Sequence, residues 1–388
     1  MEYASKQVEE LFRKTGGDRY IWLLVIFLSI ISMLAVYSST GTLAFKYQGG
    51  NMEYYLFRQF VMIAFAIFLM YLAHKINYAY YSRIAQLLLY ISVPLLVITL
   101  FFGMEVNDAR RWLTIPGIGL TFQTSDLAKL ALIMYTARVL AKNQGNIKDF
   151  KTGFLPVMLP ALIVCGLIAP SNLSTASILF ATCLLLMFIG RVNMKYIAIM
   201  AVAGIALLAL IIVIAELTSF HARVDTWISR LQDFTGGGEE QYQVQQAKIA
   251  IANGGVLGVG PGNSIQRNFL PSPYSDFIYA IIIEEYGIVG GVFMVLLYLF
   301  FLLRCIKIFV RCPGAFGAFV AVGLSFGLVV QALINMAVVV HLLPTTGVTL
   351  PFVSMGGTSL WFTSIAIGII LSVSRNIEEE KEDEPAAA

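Results

Sequence analysis

The chain has 388 residues, 58% hydrophobic and only 13% charged, with a mean hydropathy of +0.79. A soluble domain carries roughly a quarter charged residues, so this composition excludes one and points to an all-α protein that crosses a membrane many times. A net charge of +3 is too small to argue for nucleic acid, and Cys165, Cys183, Cys305 and Cys312, without a CxxC pair, make neither a disulfide framework nor a metal site.

Met1–Arg19 is polar and basic, with no cleavable signal, and the full-length apolar run after it reads as a signal anchor. A crossing helix needs about 20 apolar residues. Ten segments qualify: 20–39, 57–75, 83–103, 125–142, 153–169, 174–190, 194–216, 277–309, 314–340 and 357–374. With the N-terminus inside, most of the 26 Lys and Arg fall on inner segments, as the positive-inside rule requires. The expected organisation is a cytoplasmic segment 1–19, one membrane domain 20–374 and a solvated acidic cytoplasmic tail 375–388. Segments 104–124, 217–275 (between the seventh and eighth spans) and 341–356 are then extracytoplasmic.

These outer segments hold the chemistry. In the first, Arg110 and Arg111 stand at the outer face against the general charge bias, and Asp126 and Lys129 begin a span one turn apart. Two readings stand. One is a capped helix start with an ion pair and interfacial arginines; the other is a cationic cradle for a diphosphate. In the second, Gly236–Gly238 breaks the chain after the polar group His221, Arg223, Asp225 and Trp227. The weakly amphipathic stretch 241–253 is expected to lie in the membrane interface. The glycine-rich run 254–262 is either a tight turn or a set of backbone N–H groups for a phosphate.

This segment ends at Asp276, the only carboxylate between Glu240 and Glu284. An acid where a polar loop re-enters the membrane is poorly explained as solubilising charge. It can cap the next helix, act chemically, or do both. Glu284 and Glu285 follow two to three turns into the same span, and Gly287 with Gly291 forms a small-xxx-small packing patch. In the third segment, Pro344, Pro351 and three glycines predict a non-helical cavity wall or re-entrant piece, since irregular backbone at membrane depth must be buried or line a cavity. His341 alone reads as structural.

Ala109-Arg110-Arg111-Trp112 with Gln123–Lys129, Tyr242-Gln243 through Gly262-Asn263-Ser264, Leu270-Pro271 to Asp276-Phe277-Ile278 with Glu284-Glu285, and Leu343-Pro344-Thr345-Thr346-Gly347 occur in order among the spans. Together they closely resemble the SEDS family (shape, elongation, division and sporulation) from the first span to Ser374. The Gly262-Asn263-Ser264 run favours the division branch, FtsW, over the elongation branch, RodA. The resemblance implies a peptidoglycan glycosyltransferase that polymerises lipid II at the outer face of the bacterial inner membrane, at the division septum. It implies partnership with a class B penicillin-binding protein transpeptidase and other divisome membrane proteins.

Asp276 falls at the family's essential aspartate and is the expected general base. Arg110, Arg111, Lys129, Asp126, Gln123, Ser264, Gln266, Glu285 and Thr346 fall at expected substrate-binding positions. A divalent cation (Mg²⁺ or Mn²⁺) can share the diphosphate's charge, although the sequence shows no dedicated cage; no other cofactor is implied. The chain departs from the family at Asp126, which replaces the usual Glu, and at Ser171-Asn172, which loses an acid. Ser272 and Tyr274 replace a Glu and a His, and Asn268 also stands where Glu is frequent. These departures concentrate the catalytic role on Asp276. A lipid flippase and a non-catalytic division scaffold are the alternatives. Key charges at the outer ends, rather than on broken midplane helices in repeated halves, argue against a transporter, and a scaffold leaves that clustering unexplained.

Overall fold

In hydrocarbon every backbone N–H and C=O must be satisfied within the chain, so the apolar segments have little choice but helix. The computed structural model describes residues 16–106, 109–114, 121–217, 221–236 and 241–383. Its helices in chain order are α1 (Arg19–Ser39), α2 (Gly41–Gln48), α3 (Met52–Lys75), α4 (Tyr78–Phe102), α5 (Thr124–Lys142), α6 (Leu155–Ile168), α7 (Leu173–Ile189), α8 (Met194–Leu217), α9 (His221–Thr235), α10 (Tyr242–Gly254), α11 (Ile278–Arg311), α12 (Ala315–Val339) and α13 (Thr358–Asp383). Ten of these coincide with the ten expected spans. Among the described residues, eight are long and apolar enough to cross a membrane, α6 counted together with the π-helical turn Phe150–Phe154 that leads into it; α7 is shorter, and α5 carries Asp126, Lys129, Arg138 and Lys142.

Polar contacts sort the connections onto two ends. At one end Arg304 binds Asp18, which also caps α1; Gly17 N–H donates to Glu378, and Arg375 donates to the carbonyl of Lys75. At the other end Arg267 donates to the carbonyl of Ser38, Arg111 to that of Ser171, and Arg230 to that of Thr345. Both the start of α1 and the final turns of α13 therefore lie at one end. The last span does not stop at Ser374. Glutamate forms helix well, and Arg375 pairs with Glu379 one turn on at 3.3 Å, so the helix carries the first part of the acidic tail.

Three features depart from the expected map. The segment after α4 is not a plain loop but an antiparallel sheet of β1 (Met104–Val106), β2 (Ala109–Thr114) and β3 (Thr121–Gln123), with Trp112 opposite Gln123. Outside the hydrocarbon, Trp, Thr, Leu and Phe can satisfy their backbone by strand pairing. Helix α10 is more than an amphipathic surface stretch: its face of Val244, Ala247 and Ala250 is buried, packed on α11. Finally, α11 is broken at Gly287 (φ 68°, ψ −172°).

The break explains the glycine-rich run. It frees the carbonyls of Glu284 and Glu285 and the N–H groups of Ile288 and Val289. Loop 255–260 pairs with all four: Val259 and Gly260 donate at 3.0 Å each, while Gly255 and Val256 accept at 3.0 and 3.3 Å. Such pairing requires backbone against backbone. A Cβ on Gly287 would fall 2.1 Å from the Val256 oxygen, and one on Gly258 2.1 Å from that of Glu285. The N–H groups of Val259 and Gly260 are thus spent on protein, which favours the tight turn over a phosphate nest.

Candidate functional site

The non-helical segment 341–357 forms a wall, as its prolines and glycines predict. Val348, Leu350, Phe352, Val353 and Ser354 are buried, and Ser32 of α1 donates to the Val353 carbonyl at 2.8 Å. This wall holds the end of the long outer loop. Met355 N–H donates to the Tyr274 carbonyl at 2.9 Å, the Ser354 hydroxyl to that of Ser275 at 2.7 Å, and Asn335 Nδ2 of α12 to that of Asp276 at 2.8 Å. Three successive carbonyls are captured, so the backbone that carries Asp276 is fixed from one side.

The Asp276 side chain does not cap α11. The capping position belongs to Phe277, and no side chain caps the helix there. Of the readings left open for Asp276, capping is thereby set aside, and the carboxylate is left for another task. It is half-buried. Burial holds it above the ordinary aspartate range; its own backbone N–H, the Ser275 hydroxyl, Arg111 and Arg230 act in the opposite direction. Burial also lowers the Arg230 guanidinium, against the charge of Asp276.

Arg111 and Arg230 line a cavity of about 370 Å³, together with Ser171–Ser174 at the α6–α7 junction, Leu208 and Ile212 of α8, Trp227 of α9, and Pro344–Gly347. Strand β2 and a hydrogen bond of 2.8 Å from Nε to the Ser171 carbonyl orient Arg111. Its guanidinium lies against Gly347, where a Cβ would stand 3.3 Å from Nη1. Arg111 is thus met here by a main-chain oxygen, while Asn172 caps α7 by accepting from Thr175 N–H. Arg230 donates to the Thr345 carbonyl at 3.3 Å, and Thr345 donates to Gln241 at 3.0 Å. Thr346 lines the same cavity, and its buried hydroxyl has no protein partner.

The other expected site residues lie apart from this cavity. Asp126 and Lys129 pair at 2.8 Å and line a smaller cavity of about 50 Å³ among Ile178, Leu179 and Phe362; Lys129 also donates to Gln331 at 3.4 Å. Arg110 donates to the Phe101 carbonyl at 2.8 Å, and Gln123 to Ser125 at 2.9 Å. Ser264 donates to Glu284, the Gln266 N–H meets the same carboxylate at 3.3 Å, and Glu285 accepts from Ser38. These last contacts tie the glycine-rich loop to α1 and α11. Sequence reasoning singled out other residues of α9 but not Arg230. Trp227 and Arg230 are three apart on that helix, so they share a face and point into one cavity. That spacing was the available signal.

The family model "Cell cycle protein", which covers FtsW, RodA and SpoVE, matches residues 18–379. Stage V sporulation protein E of Bacillus subtilis is 31% identical over 370 residues, 94% of this chain and 98% of that protein. The probable peptidoglycan glycosyltransferase FtsW of Geobacter metallireducens is 33% identical over 366 residues, 93% and 95% of the two chains. Among solved structures, a chain of a peptidoglycan synthase complex superposes with a TM-score of 0.72 at 24% identity, covering 93% of this chain and 98% of its own. Thermus thermophilus RodA gives 0.66 at 23%, covering 93% and 97%. At these identities the superpositions speak for the fold. The sequence matches run through every segment that builds the cavity, and the chain belongs to the FtsW/RodA/SpoVE family of cell cycle proteins.

Proposed function

We propose that this protein is a peptidoglycan glycosyltransferase that polymerises lipid II at the outer face of the cytoplasmic membrane, with Asp276 as general base. One observation carries the reading. A carboxylate released from helix capping sits within the field of two arginines that line a cavity walled partly by a membrane span. The names of its relatives support the activity, and the Lys and Arg distribution supports an extracytoplasmic cavity with both termini in the cytoplasm.

In the proposed step a sugar 4-hydroxyl of one lipid II attacks the anomeric carbon of the other substrate. Asp276 takes the hydroxyl proton, the new C–O bond forms, and the bond to the diphosphate breaks, its electron pair leaving with the diphosphate. A hydroxyl is a weak nucleophile, and a positioned base contributes about 10²–10⁴-fold. A carboxyl held above its ordinary range is a better proton acceptor than a free aspartate, provided it stays ionised at working pH. Arg111 and Arg230 stabilise the charge that grows on the leaving diphosphate. Leu208 and Ile212 offer apolar surface to the first units of the lipid tail. Among the described residues, no three His, Cys, Asp or Glu side chains stand together as a ligand set. The residues present do not fit a protein-built divalent-cation site, and no step is derived through one.

The partner this reading implies is a class B penicillin-binding protein, which crosslinks the strands; the solved synthase complex, which coordinates polymerization with crosslinking, supports the pairing. The site of action is then the division septum. The test is to supply lipid II to the purified protein with its cognate transpeptidase, block crosslinking with a β-lactam, and resolve the products on a gel. Glycan ladders support the reading. Transfer of labelled lipid II across vesicle bilayers without ladders would replace it with a flippase.

A further inference from the structure

The polar side chains on α12 form a short ladder inside the membrane domain. Gln331 and Asn335 are one turn apart, 8% and 1% exposed. Gln331 accepts from Lys129 at 3.4 Å and donates to the Thr349 carbonyl at 3.0 Å. Asn335 Nδ2 bridges two carbonyls, Asp276 and Val348, at 2.8 Å each. We propose that Asn335 is the positioning residue for Asp276, clamping the end of the long outer loop to the cavity wall and thereby setting where the carboxylate stands relative to Arg111 and Arg230. The inference rests on the reading of Asp276 as base.

Three arguments support it. First, both partners of Asn335 are carbonyl oxygens, so only its amino group can face them, and the alternative amide orientation would set oxygen against oxygen. Second, its Oδ1 is buried without a hydrogen-bond partner among the described residues. An unmet buried acceptor is costly, and filling the same space with Leu would avoid that penalty. A residue kept for packing alone is poorly served by a carboxamide; one kept for its two donors is not. Third, Asn335 is the side chain through which a membrane span holds the Tyr274–Asp276 carbonyls, since the other two clasps come from the wall itself. The charged groups that act on the Asp276 carboxyl are Arg111 of β2 and Arg230 of α9, while the α12 contact, the neutral Asn335 amide, meets the backbone carbonyl. A backbone that slips away from those arginines leaves burial opposed only by the local Asp276 N–H and Ser275 hydroxyl, and the carboxyl then titrates higher.

The test compares Asn335→Leu with Gln331→Leu in the full-length protein with its transpeptidase. Both remove a buried amide from the same helix, but only the first touches the Asp276 backbone. In Asn335→Leu, turnover should fall about 10- to 100-fold with little change in the lipid II concentration for half-maximal rate. The acid limb of its pH–rate profile should move up by roughly half a unit or more. Gln331→Leu should leave that limb in place. Hydrogen exchange supplies a readout independent of activity: the amides of 272–277 and 345–350 should lose protection together in Asn335→Leu. Wild-type protection of both segments would overturn the inference, as would an acid limb that stays put or moves equally in both variants. If the wild-type protein makes no glycan, or Asp276→Asn makes it normally, the reading of the base fails. The exchange result then still decides whether Asn335 clamps the two segments.

Discussion

At the scale of single residues the account turns on the balance around Asp276. Burial raises its carboxyl, while its own backbone N–H, the Ser275 hydroxyl and two arginines lower it. Only the ionised form accepts a proton, so activity should rise with pH along an acid limb set by this group. Arg230→Ala removes one opposing charge. The acid limb should shift to higher pH, and lipid II should be held less tightly; a limb unmoved in a folded, active variant would detach Arg230 from the base. Asp276, Arg111 and Thr346 were legible in the sequence because each sits within an ordered block of short motifs. Arg230 was not, because one cation in a polar loop looks like any other until the loop is seen as a helix with Trp227 beside it. Asn335 went unread although a carboxamide inside a span is costly and therefore informative.

At the scale of elements, hydropathy found the ten long helices, eight of them long and apolar enough to cross a membrane among the described residues, because lipid leaves backbone groups no alternative to helix. It did not find the sheet after α4, whose strands of three and six residues are too short for alternation to speak. Nor did it find the break in α11. The glycines at 258 and 287 were visible, but their meeting across about thirty residues of sequence is a tertiary fact. The physical reason for both glycines can be tested. Gly287→Ala puts a Cβ into the Val256 carbonyl at a positive φ, and should cost more than about 4 kcal/mol or prevent folding. Gly262→Ala, also at positive φ but facing open space, should cost only about 1–2 kcal/mol. Thermal unfolding in detergent separates the two; equal losses would mean that close backbone approach is not what Gly287 provides.

At the scale of the whole molecule, side-chain contacts divide the connections between two ends, and the proposed orientation, drawn from the Lys and Arg bias, puts the end bearing Asp18, Arg304 and Arg375 in the cytoplasm. A cysteine placed at exposed Leu257 should react with a membrane-impermeant maleimide in intact cells, and one at exposed Lys148 should not; the reverse pattern would invert the topology and move the cavity away from its proposed substrate. The central claim is that this membrane domain is a polymerase whose base is Asp276. The most direct measurement is lipid II polymerisation by the wild-type protein and by Asp276→Asn, each with its transpeptidase partner under β-lactam block. The account predicts glycan ladders from the wild type and a loss of about 10²-fold or more in the variant, with folding and partner binding intact. Ladders of near-normal yield from Asp276→Asn would contradict it.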